Sequence, residues 1–143
     1  MITKEIKFNT VEYMESLRLR SDVLRAPLGK ELTDSDTFGE ESQLHFGCFS
    51  KHQLKACVVA KPTENDTQVK LRQMAVATSF QGKGAGKKLI LDFEVFLKEN
   101  GVKTIELSAR ETAILFYEKL GYEVDGDVYL EQGIKHIKMQ KNI

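Results

Sequence analysis

The sequence predicts a single α/β domain over residues 1–143, built on a mixed, mostly antiparallel twisted sheet that helices flank. The order strand, helix, strand, helix over residues 68–121 implies a parallel pair of strands joined by a right-handed crossover. Short strand-like runs before and after this unit are separated by turns, which favours antiparallel neighbours. The chain has no internal repeat, low-complexity segment or linker, so one domain accounts for all of it.

Upstream of that unit, the sequence predicts a strand, a helix, a polar loop and a hairpin. A weakly alternating run covers residues 2–8, and apolar side chains at helical spacing follow over residues 11–25. The helix is expected to bury its apolar positions, which are Val11, Met14, Leu17 and Leu24. Residues 30–43 are rich in Asp, Glu, Ser and Thr and are interpreted as a surface loop. The runs Leu44–Phe49 and Leu54–Ala60, joined by four polar residues, predict the hairpin.

The next strand, Gln68–Val76, changes phase within its length. Val69 and Leu71 share one face by period two, but Met74 and Val76 are out of phase with them by one residue. A β-bulge produces such a slip, and bulges often lie beside active sites. A strand end buried on both faces would give the same pattern, so that alternative stays open beside the favoured bulge.

Downstream, the periodicity predicts two helices that alternate with strands. The first helix ends at Asn100-Gly101 and buries Leu89, Ile90, Phe93, Phe96 and Leu97. A buried strand follows over Val102–Ala109, and the second helix covers residues 111–120. Its apolar stripe consists of Ala113, Phe116, Tyr117 and Leu120. Two closing strands, Tyr122–Leu130 and Ile134–Gln140, are expected to turn at Gln132-Gly133.

A glycine-rich turn, Gln81-Gly82-Lys83-Gly84-Ala85-Gly86-Lys87-Lys88, lies between the strand 68–76 and the first of these helices. Glycines let the backbone approach a ligand closely, and the free N–H groups and dipole of a helix start favour an anion. Lys83, Lys87 and Lys88 add positive charge. The turn therefore predicts a diphosphate site, with a plain exposed turn as the alternative.

Two common nucleotide motifs do not fit this turn. A P-loop would need glycine at Gln81 and Ser or Thr at Lys88. A dinucleotide fingerprint needs Gly or Ala three residues after its second glycine, where Lys87 or Leu89 stands in the two alignments that the glycines allow. A diphosphate ligand of another kind is therefore expected.

The turn does resemble the pyrophosphate motif Q/R-x-x-G-x-G/A of the GNAT superfamily of acyl-CoA N-acyltransferases, here Gln81 to Gly86 after Met74-Ala75-Val76. Downstream, residues 113–122 (AILFYEKLGY) resemble the second motif of that family, A-x-x-F-Y-x-x-x-G-F/Y. The flanking segments 23–29 and 133–139 resemble the small ElaA-like branch, so the similarity covers nearly the whole chain.

The resemblance implies the GNAT fold, in which the fourth and fifth strands splay apart and acyl-CoA lies in the V between them. It implies an enzyme that uses acetyl-CoA as cosubstrate and transfers the acetyl group directly to an amine of a small molecule or peptide. A non-catalytic acyl-CoA-binding sensor of the same fold is the alternative. An NTPase is disfavoured by Gln81 and Lys88.

The same resemblance implies roles for individual residues. Backbone groups of Met74 and Val76 would pair with the thioester and pantetheine arm, and the Met74 N–H would serve as oxyanion donor. Tyr117 would protonate the leaving thiolate, because a phenol with a pKa near 10 stays protonated until needed; core packing alone is its alternative role. The implied cofactor-binding residues are Met74, Ala75, Val76, Gln81, Gly82, Lys83, Gly84, Ala85, Gly86, Lys87, Arg110, Phe116 and Tyr117.

The general base is left unassigned. Many relatives carry a carboxylate or histidine on the fourth strand, at positions that Lys70 and Arg72 occupy here, and both are poor bases at neutral pH. They are interpreted as a solvated strand face, with attraction of an acidic substrate as the alternative. A water chain, Glu111 or Glu41 would substitute as base, and His136 is interpreted as structural.

Composition restricts the class of partner. With 21 basic and 21 acidic residues the net charge is zero, without the basic excess of a nucleic-acid binder. No apolar run approaches the roughly 20 residues of a membrane span, and no metal-ligand spacing appears. We therefore expect a cytoplasmic protein without metal, nucleic-acid or membrane partners, whose Cys48 and Cys57 lie outside the motifs. The acceptor amine is unidentified, and homodimerisation through the late strands is a further expectation.

Overall fold

A computed structural model describes residues 1–143 and contains one eight-stranded sheet. The strand order is β1-β2-β3-β4-β5-β8-β6, and β7 pairs with β8. The strands are β1 (Ile2–Ile6), β2 (Leu44–Ser50), β3 (Gln53–Pro62), β4 (Gln68–Val76), β5 (Thr104–Arg110), β6 (Glu123–Val124), β7 (Tyr129–Glu131) and β8 (Ile134–Asn142). Only β4 and β5 pair in parallel, which confirms the predicted mixed, mostly antiparallel sheet.

Four α-helices connect these strands. They are α1 (Val11–Arg20), α2 (Asp34–Thr37), α3 (Ala85–Glu99) and α4 (Ile114–Lys119). After α1 the chain continues through a π-helical turn, Ser21–Arg25, and a 3-10 turn, Ala26–Leu28. No helix in the structure combines the length and apolar character that a membrane crossing requires.

The main core lies between α3 and one face of the sheet. Leu89, Ile90 and Leu97 are fully buried there, together with Ile105 and Leu107 of β5. Burying one such side chain contributes about 1.5–3 kcal/mol to the free energy of unfolding. The apolar spacing of this helix and this strand therefore predicted their buried faces correctly.

The predicted buried face of α1 is wrong at Val11 and Met14, although Leu17 does pack against an apolar cluster. Val11 and Met14 are 76% and 59% exposed, whereas Tyr13, Ser16 and Arg20 are buried. Tyr13 and Leu17 pack against an apolar cluster with Ile6 and Phe49, whereas Arg20, further along the same face, binds the buried carboxylate of another residue.

That carboxylate belongs to Glu40, in the segment that the sequence predicted to be a surface loop. Residues 30–43 instead contain α2 and a 3-10 turn, Glu40–Ser42, and Glu40 is fully buried. Two arginines neutralise its charge, which makes burial of this one carboxylate feasible.

The predicted bulge on β4 is confirmed. In the register of β3 and β4, Cys57 pairs with Ala75 and Val59 with Arg72, so two residues of β4 lie opposite one of β3. The first of these two, Gln73, has a φ of 54°, in the left-handed region. The extra residue brings Met74 and Val76 to the α3 side of the sheet, where they pack against the main core.

Several predicted boundaries differ from the structure. The first strand ends at Ile6 rather than at residue 8, and β5 starts at Thr104 rather than Val102. A 3-10 turn, Glu111–Ala113, precedes α4. The single strand predicted over residues 122–130 is two short strands, β6 and β7, because the chain turns between them at Gly126, whose φ is 131°.

Candidate active site

The sheet opens into a V where β4 and β5 separate. The two strands pair only between Gln68–Leu71 and Thr104–Leu107, although both continue further. Beyond the bulge, the Ala77 N–H donates to Lys55 on β3. Since alternate residues of a strand direct their backbone groups to opposite sides, those of Met74 and Val76 face the open V.

A cavity of about 770 Å³ occupies this opening, and residues from both faces of the sheet line it. On the α3 side the lining includes Met74, Val76, Phe116 and Tyr117. On the other face it includes Lys70, Arg72, Arg110 and His136, together with Val23, Leu24 and Arg25 from the turn after α1. The splay therefore brings residues of widely separated sequence segments to one site.

The glycine-rich turn presents unpartnered amides at the start of α3. The first amide with a protein acceptor there is that of Lys88, which donates to the Gly84 carbonyl at 3.0 Å. The N–H groups of residues 82–87 donate to no protein acceptor. Gly82 and Gly84 have φ angles of 77° and 81°, which residues with side chains rarely adopt. This arrangement is suited to binding an anion.

Gly86 connects the turn to the V. A Cβ at this position would lie 3.3 Å from the tips of Met74 and Phe116 and 3.4 Å from that of Val76. The Gln81 side-chain amide donates to the Val76 carbonyl at 3.3 Å, so this carbonyl already has a partner. The turn, the second half of β4 and the 113–117 segment therefore form one contiguous surface.

The three lysines of the turn differ in their surroundings. Lys88 pairs with Asp92 at 3.0 Å, and Asp92 also accepts a hydrogen bond from Thr3. The Lys83 ammonium lies 5.1 Å from the centre of the Phe80 ring, and Lys87 has no ion pair. Lys83 and Lys87 thus keep their charges available at the turn.

Tyr117 is 7% exposed and belongs to the lining of the cavity. Its hydroxyl forms no hydrogen bond within the protein. Since every fully buried side-chain polar atom has a hydrogen-bond partner, the Tyr117 hydroxyl is not fully buried and must reach the cavity. Burial raises the pKa of the phenol to about 12. The group therefore remains protonated at neutral and mildly alkaline pH.

The buried Glu40 organises the other face of the sheet. Arg20 binds its two carboxylate oxygens at 2.8 and 2.6 Å, Arg72 donates to one of them, and the Tyr13 hydroxyl donates at 2.7 Å. Burial alone would raise the pKa of Glu40, but the hydrogen bonds and charge of Arg20, helped by Arg72 and Tyr13, lower it to about 2. Arg20 also donates to the bulge residue Gln73 at 3.1 Å, which ties the bulge to α1.

This network corrects the interpretation of Arg72 as part of a solvated strand face. Its guanidinium donates to Glu40, Gln43 and the Asp36 carbonyl. Sequence reasoning missed the network because its members are separated by 20 to 53 residues, and no local pattern joins them.

His136 lies on β8, directly opposite Arg110 of β5, and is 6% exposed. Its Nδ1 is 2.8 Å from the Ile134 carbonyl oxygen, and a carbonyl only accepts, so Nδ1 carries a proton. Its Nε2 is 3.5 Å from a carboxylate oxygen of Glu131, whose side chain is half exposed. Both residues line the cavity, whereas Glu41 and Glu111 are exposed and do not.

The remaining candidates are placed as follows. Arg110 lines the cavity on the face away from α3, and its Nη2 donates to the Leu24 carbonyl at 3.4 Å. Cys48 and Cys57 are buried, free and outside the cavity lining. Burial raises the pKa of both thiols, that of Cys57 to about 12. No group of three or more His, Cys, Asp or Glu side chains is arranged to hold a metal ion.

Comparison with known proteins adds a family relationship to this geometry. The chain matches the acetyltransferase (GNAT) domain family over residues 23–143. It is 31% identical over 110 residues to a candidate acetyltransferase of Bacillus subtilis (strain 168), an alignment that covers 75% of each chain.

Solved structures show the same fold. ElaA from Escherichia coli has a TM-score of 0.83 at 20% identity, with 98% of both chains covered. An aminoglycoside 6′-N-acetyltransferase complexed with coenzyme A has a TM-score of 0.79 at 22% identity, covering 99% of this chain and 97% of that one.

Proposed function

This chain belongs to the GNAT acetyltransferase domain family, and from that premise we propose that it transfers the acetyl group of acetyl-CoA directly to an amine of a small molecule or peptide. The observation that carries the proposal is the run of unpartnered backbone amides at residues 82–87, beside a cavity of about 770 Å³. Within the family, the likeness to ElaA at 20% identity supports an ElaA-like branch for the chain.

The residues present suit coenzyme A. Gly82 and Gly84 have φ angles in the left-handed region and no side chains that would cover the amides of residues 82–87. Lys83 and Lys87 add positive charge that a diphosphate would neutralise. Phe116 and Val76, packed around Gly86, would contact the pantetheine arm. The proposed binding set also includes Ala75, Gln81, Ala85 and Arg110. Acetyl-CoA, when bound, supplies the activated acetyl thioester.

Two groups on the α3 side of the V would stabilise the reaction. The Met74 N–H faces the open side of β4 and would donate to the oxygen on which negative charge develops. The Tyr117 hydroxyl would protonate the departing thiolate, since its raised pKa of about 12 keeps the proton in place until transfer.

His136 would act as the general base. Because its Nδ1–H is directed at the Ile134 carbonyl, the neutral ring presents its Nε2 lone pair, which can remove a proton from the attacking amine. Glu131 lies 3.5 Å from Nε2 and would stabilise the imidazolium that forms. Its half-exposed carboxylate borders solvent, to which the proton would pass.

Transfer without a covalent acyl-enzyme agrees with the positions of the thiols. A cysteine relay needs a thiolate at the cavity. Cys48 and Cys57 lie outside its lining, and burial holds their pKa values above the ordinary range of a thiol.

The proposal is tested by measuring release of the coenzyme A thiol from acetyl-CoA in the presence of a broad panel of amines. Amine-dependent release with formation of the acetylated amine is the expected result. Tight binding of acetyl-CoA without release across the panel would instead support the sensor alternative.

A homodimer remains part of the proposal. The late segment exposes apolar side chains that a second copy would cover, namely Val124, Val128, Tyr129 and Leu130. The mass of the protein by light scattering distinguishes a monomer from this dimer.

A further inference from the structure

The cavity has more basic than acidic residues in its wall. Its basic residues are Arg25, Lys61, Lys70, Arg72 and Arg110, and its acidic residues are Asp36 and Glu131. The wall therefore favours an anionic group over a second cationic one.

Ion pairs within the protein neutralise only part of this charge. Arg25 pairs with Asp36 at 2.8 Å, and Arg72 shares the carboxylate of Glu40 with Arg20. No carboxylate pairs with Lys61, Lys70 or Arg110, and the only carboxylate left in the wall, Glu131, faces His136.

Lys61 and Lys70 lie opposite each other on two adjacent strands. They are register partners on β3 and β4, where opposite Cβ atoms lie about 4.5–5.5 Å apart and like charges destabilise the sheet. The neighbouring partners, Ala60 and Leu71, belong to the core under α3, so the two lysines share the other face.

The nearest carboxylate in register does not relieve this repulsion. Glu106 of β5 pairs with Lys70 in the sheet, but its carboxylate contacts Lys138 at 3.3 Å and accepts a hydrogen bond from Gln68 at 3.1 Å. Lys61 and Lys70 thus lie opposite each other in the wall of the cavity, and no carboxylate pairs with either of them.

We infer, building on the acetyl transfer proposed above, that the acceptor is a primary amine that also carries a carboxylate, which Lys61 and Lys70 bind. The carboxylate would relieve the repulsion between the two lysines and gain two charge-assisted hydrogen bonds. Its amine would then extend along the cavity toward His136 and Tyr117. A polycationic amine would add charge to a wall that is already basic.

The test compares three acceptors of similar length: 4-aminobutyrate, butylamine and 1,4-diaminobutane. For the wild type, kcat/KM measured from thiol release should be at least about tenfold higher for 4-aminobutyrate than for butylamine, because one charge-assisted hydrogen bond has an effect of this size. The difference between 4-aminobutyrate and the diamine should be larger. The Lys61→Gln/Lys70→Gln double variant should lose this preference but retain its rate with butylamine and its affinity for acetyl-CoA.

The matched control is Lys98→Gln, which removes one charge at the distant end of α3 and should retain the preference. The inference would be overturned if the wild type had an equal or higher kcat/KM with butylamine or the diamine than with 4-aminobutyrate. An undiminished preference for 4-aminobutyrate in the double variant would also overturn it.

A calorimetric titration of 4-aminobutyrate into the complex with coenzyme A does not depend on turnover. Binding heat that is observed with the wild type and is absent with the double variant supports the carboxylate site. This result would stand even if no acceptor led to thiol release and the proposed transfer failed. No heat in the wild type contradicts the site.

Discussion

In the proposed mechanism, the chemical step depends most on Tyr117. Replacing it by phenylalanine preserves the ring that packs against Phe116 and Tyr122 but removes the proton donor. We expect Tyr117→Phe to lower kcat by roughly 10²–10⁴ and to leave the affinity for acetyl-CoA nearly unchanged. Thiol-release kinetics and calorimetry check the two expectations, and an unchanged kcat would exclude the role of acid.

His136 has a different test, because its loss can be repaired from solution. His136→Ala removes the proposed base, so kcat should fall by about 10²–10⁴. Added imidazole should restore part of the lost rate, which a merely structural histidine would not permit. Glu131→Gln should retain a larger fraction of the rate, since it leaves the imidazole in position and removes only the neighbouring charge.

Glu40 makes the stability of the protein sensitive to acid. Its pKa is lowered from 4.5 to about 2 in the folded protein. Its contribution to the free energy of unfolding is therefore complete above about pH 4.5 and is lost as the pH falls towards 2. Urea titrations across this range should show the loss, and a Glu40→Gln variant should show a smaller one. Equal pH dependence of the two proteins would contradict the assignment.

Residue by residue, the sequence is most informative about the candidate site where a local motif marks a position. Gly82, Gly84 and Tyr117 belong to short motifs whose spacing can be read directly. Arg20 and Glu40 could not be predicted to pair, because a buried ion pair leaves no periodic signal and charged side chains are expected at the surface.

Among the elements, the start of α3 provides the sharpest test of backbone recognition. Lys87 is the third residue of α3, where its N–H is free, so that proline there removes no hydrogen bond within the protein. Lys87→Pro removes both the amide and the side-chain charge, whereas Lys87→Ala removes only the charge. We expect the proline variant to bind acetyl-CoA about tenfold or more weakly than the alanine variant, the effect of one hydrogen bond to a charged group. Equal affinities would show that this amide does not contact the ligand, provided that both variants melt at similar temperatures.

The elements also differ in how far sequence alone predicts them. The phase slip between Leu71 and Met74 revealed the bulge because both halves of β4 pack apolar side chains against the same core. The buried face of α1 was predicted only at Leu17, because periodicity arguments assume an apolar partner along the whole helix, and Arg20 instead meets Glu40. The break between β6 and β7 depends on the backbone at Gly126, which an alternating pattern does not reveal.

At the scale of the whole molecule, one topological feature creates the candidate site. A parallel pair that separates after four residues exposes the backbone of β4 on its open side, and the crossover places the start of α3 at the same end. The order of elements predicted the parallel pair and its crossover, and the resemblance to the GNAT superfamily implied that the two strands splay apart. The distribution of charge around the cavity was beyond prediction, because it depends on which lysines and arginines find carboxylates in three dimensions.

The most direct test of the account is a calorimetric titration of acetyl-CoA into the wild type and a Gly84→Glu variant. Gly101→Glu is the matched control, since Gly101 has a similar φ of 88° and open surroundings at the other end of α3. We predict binding by the wild type and the control, loss of binding by Gly84→Glu, and weak binding of acetyl-pantetheine, which lacks the diphosphate, by all three. Absence of heat with the wild type, or undiminished binding by Gly84→Glu, would contradict the claim that the amides of residues 82–87 bind the diphosphate.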